Sequence, residues 1–489
     1  MQKFYLHILS LYLLFSMFYG CTWDKVKPGS YYKGYPEEIG EIMLDKCATS
    51  GCHNEQSKDA AGGLDLSSWE RLFKGTEDNS AVVPYRSDLS FLSFFINDYP
   101  DLGQVLEPRM PYNSSPLSRN EVQLILDWID NGAPNSEGYV KFSDDPNRKK
   151  FYITNQGCDL VAVFDLETGL LMRYVDVGSK VAIESPHMVE VSPDGAYWIV
   201  CFYAGNILQK YSTENDELLG TIEIGDGSWN TFAFSPDSRY VYAVSLEESG
   251  SIVIVDMESM TLEQVYQGAG LLVWPHGSVV NESGSLLYIT AQEGNYIYKI
   301  DITDISSPVF EEVVVSTGET PNISAPYDPH EIYFSPDYSN YFVTCQGTNE
   351  VRVFNAVNDS LIAIIPVGVY PQEISFSEQT NMAFVTCTED NVTFPNKTGS
   401  VSIIDYVSFV HLKSIHTGYQ PHGVAVDDYK QQVYVVNRNV SFDGPTPHHT
   451  TDCGGRNGYV TIIDMNTLEL VPGYKAELSV DPYFISIRN

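Results

Sequence analysis

Basic side chains are scarce in this 489-residue sequence: 28 Lys and Arg stand against 64 Asp and Glu, a formal charge of −36 at pH 7. A surplus of that size repels nucleic acid and anionic lipid, and it steers basic proteins toward the chain. Glycine-rich phosphate loops and the signature of a nucleophilic serine elbow are missing, so phosphoryl transfer and serine hydrolysis have no motif to rest on. Past residue 20 no run of 18 apolar residues occurs, which leaves no second candidate for a membrane-spanning helix. Cysteine is sparse as well. The eight lie at positions 21, 47, 52, 158, 201, 345, 387 and 453, and only Cys47 and Cys52 are close, which excludes a disulfide-dense scaffold.

What is present begins with Lys3 and the apolar stretch Phe4 to Tyr19, of signal-peptide length. It ends Met17-Phe18-Tyr19-Gly20-Cys21, which resembles a lipobox, the lipoprotein cleavage site. The resemblance implies that residues 1–20 are a lipoprotein signal peptide and that Cys21 is acylated. It also implies an exported chain, lipid-anchored in the cell envelope on the periplasmic side or at the outer membrane. A plain signal peptide cut elsewhere, or an uncleaved anchor helix, would carry the same apolar run.

After a linker, residues 21–35, helical punctuation takes over from 36 to 136. Pro36-Glu37-Glu38 opens a helix through Ile39 to Leu44, with acids in its first turn. Ser118 followed by Glu121 is a capping box; Val122, Ile125, Leu126 and Ile129 then share one face, and Gly132 with Pro134 ends the helix. A polar stretch, 135–147, leads to a different rhythm.

From Lys150 the chain repeats. Ser185-Pro186-His187 and Asp328-Pro329-His330 open matching segments, with related copies at Trp229-Asn230, Pro275-His276, Pro371-Gln372, Pro421-His422 and Pro482-Tyr483. The intervals from His187 to His422 are 43, 46, 54, 42 and 50 residues, the length of a repeat unit. Each unit carries short β-branched and aromatic strands, four per unit, as in a propeller blade. The C-terminal Asp481 to Ile487 is a lone first strand, while Phe151 to Asn155 starts at a second strand. Together they complete one shared blade and close a seven-bladed ring over 148–489. These repeats resemble the YVTN family of propellers, whose fold also occurs in nitrous oxide reductase and haem-d nitrite reductases. The expected fold is therefore multidomain: a small all-α domain followed by an all-β seven-bladed propeller.

The sharpest chemical signal is Cys47-Ala48-Thr49-Ser50-Gly51-Cys52-His53. Two thiols and an adjoining imidazole are what covalent haem c attachment needs, usually with two residues between the cysteines rather than four. A local disulfide beside an accidental histidine has the same letters. The segment around it, with Gly62-Gly63-Leu64-Asp65-Leu66, Glu107-Pro108-Arg109-Met110-Pro111 and Trp128 to Pro134, resembles the class I-like cytochrome c domains common in Planctomycetes and Bacteroidetes. That resemblance covers nearly all of 36–136. It implies one covalent haem c on Cys47 and Cys52, with His53 and Met110 as axial iron ligands; otherwise Met110 is a core methionine. A His/Met pair raises the reduction potential.

The Pro-His pairs place His187, His276, His330 and His422 around one mouth of the propeller channel, with Asn230, Gln372 and Tyr483 at the equivalent positions and Trp229 and Trp274 nearby. The long insertion 437–458 brings His448 and His449 to the same face. Neutral imidazoles suit a second metal or cofactor; the alternative is a turn device that uses the ring to bond backbone. Cys201, Cys345 and Cys387 fall at matching ends of second strands and read as buried core residues. Cys158 and Cys453 sit in corresponding connections of neighbouring blades, where a disulfide is expected. Asp405 and Asp464 read as turn caps.

Three functions fit. The first is an electron-transfer haem lipoprotein whose propeller docks a redox partner, such as a basic cytochrome or a terminal reductase. The second is a periplasmic oxidoreductase with a metal or second cofactor at the histidine face. The third is a protein-binding propeller with a sensory haem. Whether the chain is an enzyme stays open at this level, and no nucleic-acid partner is expected.

Overall fold

The computed structural model describes residues 31–180, 182–440, 453 and 457–488. The expected export segment with Cys21, and the pair His448 and His449, lie outside the described residues. Among the described residues no helix is long and apolar enough to cross a membrane.

Four short helices organise the N-terminal part: α1 (Glu37–Ile42), α2 (Trp69–Leu72), α3 (Phe91–Ile96) and α4 (Arg119–Asp130). Glu37 and Glu38 place negative charge at the positive end of α1. The helix then widens into π-turns over Met43–Cys47, which carries the Cys47 side chain inward. At α4 the expected capping box forms, Ser118 and Glu121 each satisfying the other's backbone N–H. Helices α1 and α4 pack together. Their apolar faces share one cluster with Tyr35, Met43, Cys47, Leu66 and Trp69.

The seven expected blades are present. Six are built from consecutive strands whose inner members are Pro186–Val191, Trp229–Phe234, Pro275–Val280, Pro329–Phe334, Pro371–Ser377 and Pro421–Asp427. In the remaining blade the C-terminal strand Pro482–Arg488 pairs antiparallel with Lys150–Asn155, closing the ring with both ends of the propeller. The Cys158–Cys453 disulfide is formed, with Cα atoms 5.3 Å apart, and it ties this closing blade to the one before it. Cys201, Cys345 and Cys387 are free and fully buried, as expected of core residues. Asp405 and Asp464 accept backbone N–H bonds in the turns that follow them.

The helical part packs against the propeller. Val83 and Leu89 share an apolar cluster with Phe151, Phe164 and Leu171 of the closing blade. Asn79 acts as a hook: its side-chain N–H donates to the Gly169 carbonyl at 2.8 Å, and its carbonyl accepts from Leu171 N–H at 2.7 Å. The physical reason is burial. Val83 and Leu89 are buried against the apolar flank of the closing blade.

Candidate functional sites

The segment of the Cys47–His53 motif is a compact knot of turns. The Cys52 amide donates to the Thr49 carbonyl and the His53 amide donates back to the Cys47 carbonyl at 3.1 Å. Gly51 stands at φ +83° with open space around it, so the two extra residues of the long spacer project into solvent. Both thiols are free, Cys47 buried and Cys52 exposed. The structure thus contains no local disulfide there. Burial pushes the Cys47 thiol up to about 12. His53 is half-buried, its Nδ1 has no hydrogen-bond partner, and burial lowers its basicity against the pull of the Leu64 and Ala61 carbonyls. Met110 packs against the same apolar cluster that holds Cys47, and its amide is fixed by the Phe95 carbonyl at 2.8 Å.

The second site is the propeller axis. At the start of the inner strands a residue in the left-handed region precedes the proline: Ser185, Trp274, Asp328, Tyr370, Gln420 and Asp481. A register break then follows each pair, as between Pro275 and Ser278 or Pro329 and Ile332. Such a break re-aims side chains, and here it turns the histidines onto the axis. Their backbones are tied across blade seams. The hydroxyls of Thr154, Thr231, Thr290 and Thr386 donate to the carbonyls of His187, His276, His330 and His422 at 2.6–3.0 Å.

The rings form a closed circuit. His187 to His276 is 6.4 Å, His276 to His330 4.1 Å, His330 to His422 6.1 Å, His422 to Tyr483 3.7 Å, and Tyr483 back to His187 4.4 Å between centroids. Asn230 and Gln372 occupy the two intervening blades and are buried. The ring is not an open mouth, as the sequence suggested: all four imidazoles are buried. Arg438 lies 4.6 Å above the Tyr483 ring and is held by Asp481 through two bonds of 2.7 and 3.0 Å. Burial lowers the His276 pKa to about 4 and takes the other three well below the usual imidazole value, with neighbouring positive charge adding to the effect. Of the two expected tryptophans, Trp229 is buried at the start of its inner strand and Trp274 is half-buried.

One layer deeper lie carboxyls that the sequence reading missed: Glu190, Glu331 and Glu373. Burial holds all three above the usual carboxylate range, Glu190 and Glu331 at about 8, and their mutual repulsion adds to the rise for Glu190 and Glu373. Glu373 accepts from the Tyr333 hydroxyl at 2.9 Å. Tyr333 also lines a cleft of about 610 Å³ at the far end of the channel, together with Phe334, Phe376, Val426 and Tyr429. Among the described residues one metal-competent set comes together, and it contains only two of the expected histidines: His276, His330 and Glu331. His187 and His422 stand farther off, because the circuit widens beside the blades that carry Asn230 and Gln372.

Comparison with known proteins bears on the second site's scaffold. Residues 207–448 match the family model described as "Lactonase, 7-bladed beta-propeller". The matched segment is propeller only. It begins downstream of residues 36–136, so the motif around Cys47 rests on its own residues. No curated protein matches the chain in sequence. Among solved structures, a functionally unknown protein from Desulfotomaculum acetoxidans DSM 771 aligns at 14% identity with a TM-score of 0.53, over 69% of this chain and 98% of its own. Citrobacter koseri AztD aligns at 11% identity and TM-score 0.50, over 70% and 97%. Hydrazine synthase of Kuenenia stuttgartiensis aligns at 17% identity and TM-score 0.48, over 63% and 91%. At these identities the first two speak for the propeller fold alone.

Proposed function

We propose that the chain is a haem c-binding electron-transfer lipoprotein of the bacterial envelope, with the propeller as the platform on which a redox partner docks. The observation that carries this reading is the knot at Cys47–His53. It presents two free thiols and a neutral imidazole with an unpartnered nitrogen in one turn, while Met110 lies against the same apolar cluster as Cys47. These residues fit the cofactor: Cys47 and Cys52 would hold it covalently, and His53 and Met110 would ligate its iron. A bound haem c supplies reversible one-electron chemistry. The chain's own part is to keep water from the buried side through Ile39, Met43, Leu66 and Trp69, and to fix the ligand-bearing loops by the Cys47, Phe95 and His53 backbone bonds.

The strong negative charge supports a basic partner, whose association slows as salt screens the attraction. Acylation at Cys21 would hold the protein at the membrane. A redox titration tests the ligand assignment. Wild type gives a single one-electron couple, and Met110→His lowers its potential, since a His/Met pair lies above two histidines. An unchanged potential in Met110→His contradicts the assignment of Met110.

A further inference from the structure

We propose that His276, His330 and Glu331 bind one divalent zinc-class ion on the propeller axis, a site separate from the haem segment and independent of it. One ligand atom from each of the three lies within 4.8 Å of the others, and all three side chains are buried. Three polar atoms here lack any hydrogen-bond partner: Nδ1 of His276, Nδ1 of His330 and Oε1 of Glu331. His276 Nδ1 and Glu331 Oε1 approach to 3.2 Å without aligning as a hydrogen bond. Buried polar groups without partners are costly, and a single cation satisfies the set.

The backbone under the site is fixed before any ion arrives. The carbonyls of His276 and His330 are held by Thr231 and Thr290, and the Glu331 amide donates to the Thr344 hydroxyl at 2.9 Å. Gly277 makes the space: a Cβ there would lie 2.5 Å from Glu331 Oε2. Tetrahedral zinc, with bonds of roughly 2.0–2.2 Å, sets its ligands about 3.4 Å apart. The set therefore closes with side-chain shifts of about an ångström, well within rotamer adjustment. Two imidazoles and one carboxylate suit zinc and its first-row neighbours, whereas calcium and magnesium demand oxygen. Three protein ligands would leave a fourth position for a water or an incoming ligand to complete the shell. Glu373, beside Glu331, supplies a second carboxyl to balance a divalent charge.

The test uses the full chain as purified, stripped with a chelator and titrated calorimetrically with zinc. The expected result is one zinc per chain, with melting raised by zinc, and affinity reduced in His330→Gln and Glu331→Gln by more than the roughly 10–100-fold that a supporting residue costs. His411→Gln, on an exposed strand, leaves binding intact. Cobalt in place of zinc gives a visible spectrum of nitrogen and oxygen ligation in the wild type, a readout that needs no variant to fold. No stoichiometric zinc overturns the proposal. So does zinc that persists in both ligand variants, or zinc that is lost instead in His448→Gln/His449→Gln. Haem content is measured in the same samples, so the outcome stands apart from that of the haem reading.

Discussion

Replacing Asp216 by alanine should loosen the seam between the closing blade and the blade that follows it. Asp216 and Lys150 are each about 1% exposed and meet at 2.9 Å, Lys150 from the first propeller strand and Asp216 from the next blade. At an effective dielectric near 20 the pair attracts by about 6 kcal/mol, most of it spent on desolvating the two charges. Truncating one partner leaves the other charge buried, which costs about 3–5 kcal/mol. Lys150 keeps the Thr213 and Glu214 carbonyls, which points to the lower end of that range, while the Tyr152 hydroxyl loses its 3.2 Å acceptor. With an unfolding entropy of roughly 2.1 cal/mol/K per residue over the propeller, about 3 kcal/mol lowers Tm by about 4 °C. Calorimetric melting of the purified chain reads this directly. Lys150→Met/Asp216→Leu should restore most of the loss, since an apolar pair of similar volume needs no compensation. A drop below about 1 °C in the single variant, or a double variant as unstable as the single, refutes the reasoning.

Two further outcomes are expected. In chelated protein, stability falls as pH rises from about 6.5 to 8, because Glu190 and Glu331 stay protonated in the fold at pH values where the unfolded chain has already lost those protons. The slope is about −1.4 kcal/mol per pH unit for each group, and less for Glu190, which is only half-buried. Below about 6.5 the buried neutral histidines pull the other way, since the unfolded chain takes up protons they refuse. Glu331→Gln should flatten the upper limb in a melting series; an unaltered slope contradicts the assignment. For the Cys158–Cys453 disulfide, intact mass after alkylation should rise by two further adducts when reductant is added first, and identical masses count against the bond.

The propeller was legible because a Pro-His pair, or its equivalent Trp229-Asn230, Pro371-Gln372 or Pro482-Tyr483, recurs at every inner strand and the lone C-terminal strand has one blade to complete. The carboxyl layer was not. A period-of-two reading assigns faces by parity, and the register break after each proline resets it, so nothing in the letters says that Glu331 follows His330 onto the axis. The same break concealed the closed circuit, which depends on Tyr483 reaching both His187 and His422. The docking of the helical part was hidden for another reason. Asn79 and Leu171 are 92 residues apart, and a polar hook between loops leaves no periodicity. Around Cys47 the letters carried more. The Pro36-Glu37-Glu38 opening marked the helix that leads to the first thiol, and that helix is present.

The haem assignment is tested most directly by the pyridine haemochrome spectrum and intact mass of the chain purified from a host that matures c-type cytochromes. The account predicts one haem c per chain, covalently retained under denaturing conditions and lost in Cys47→Ser/Cys52→Ser. A wild-type chain of unmodified polypeptide mass, from cells that mature a control cytochrome, would contradict it.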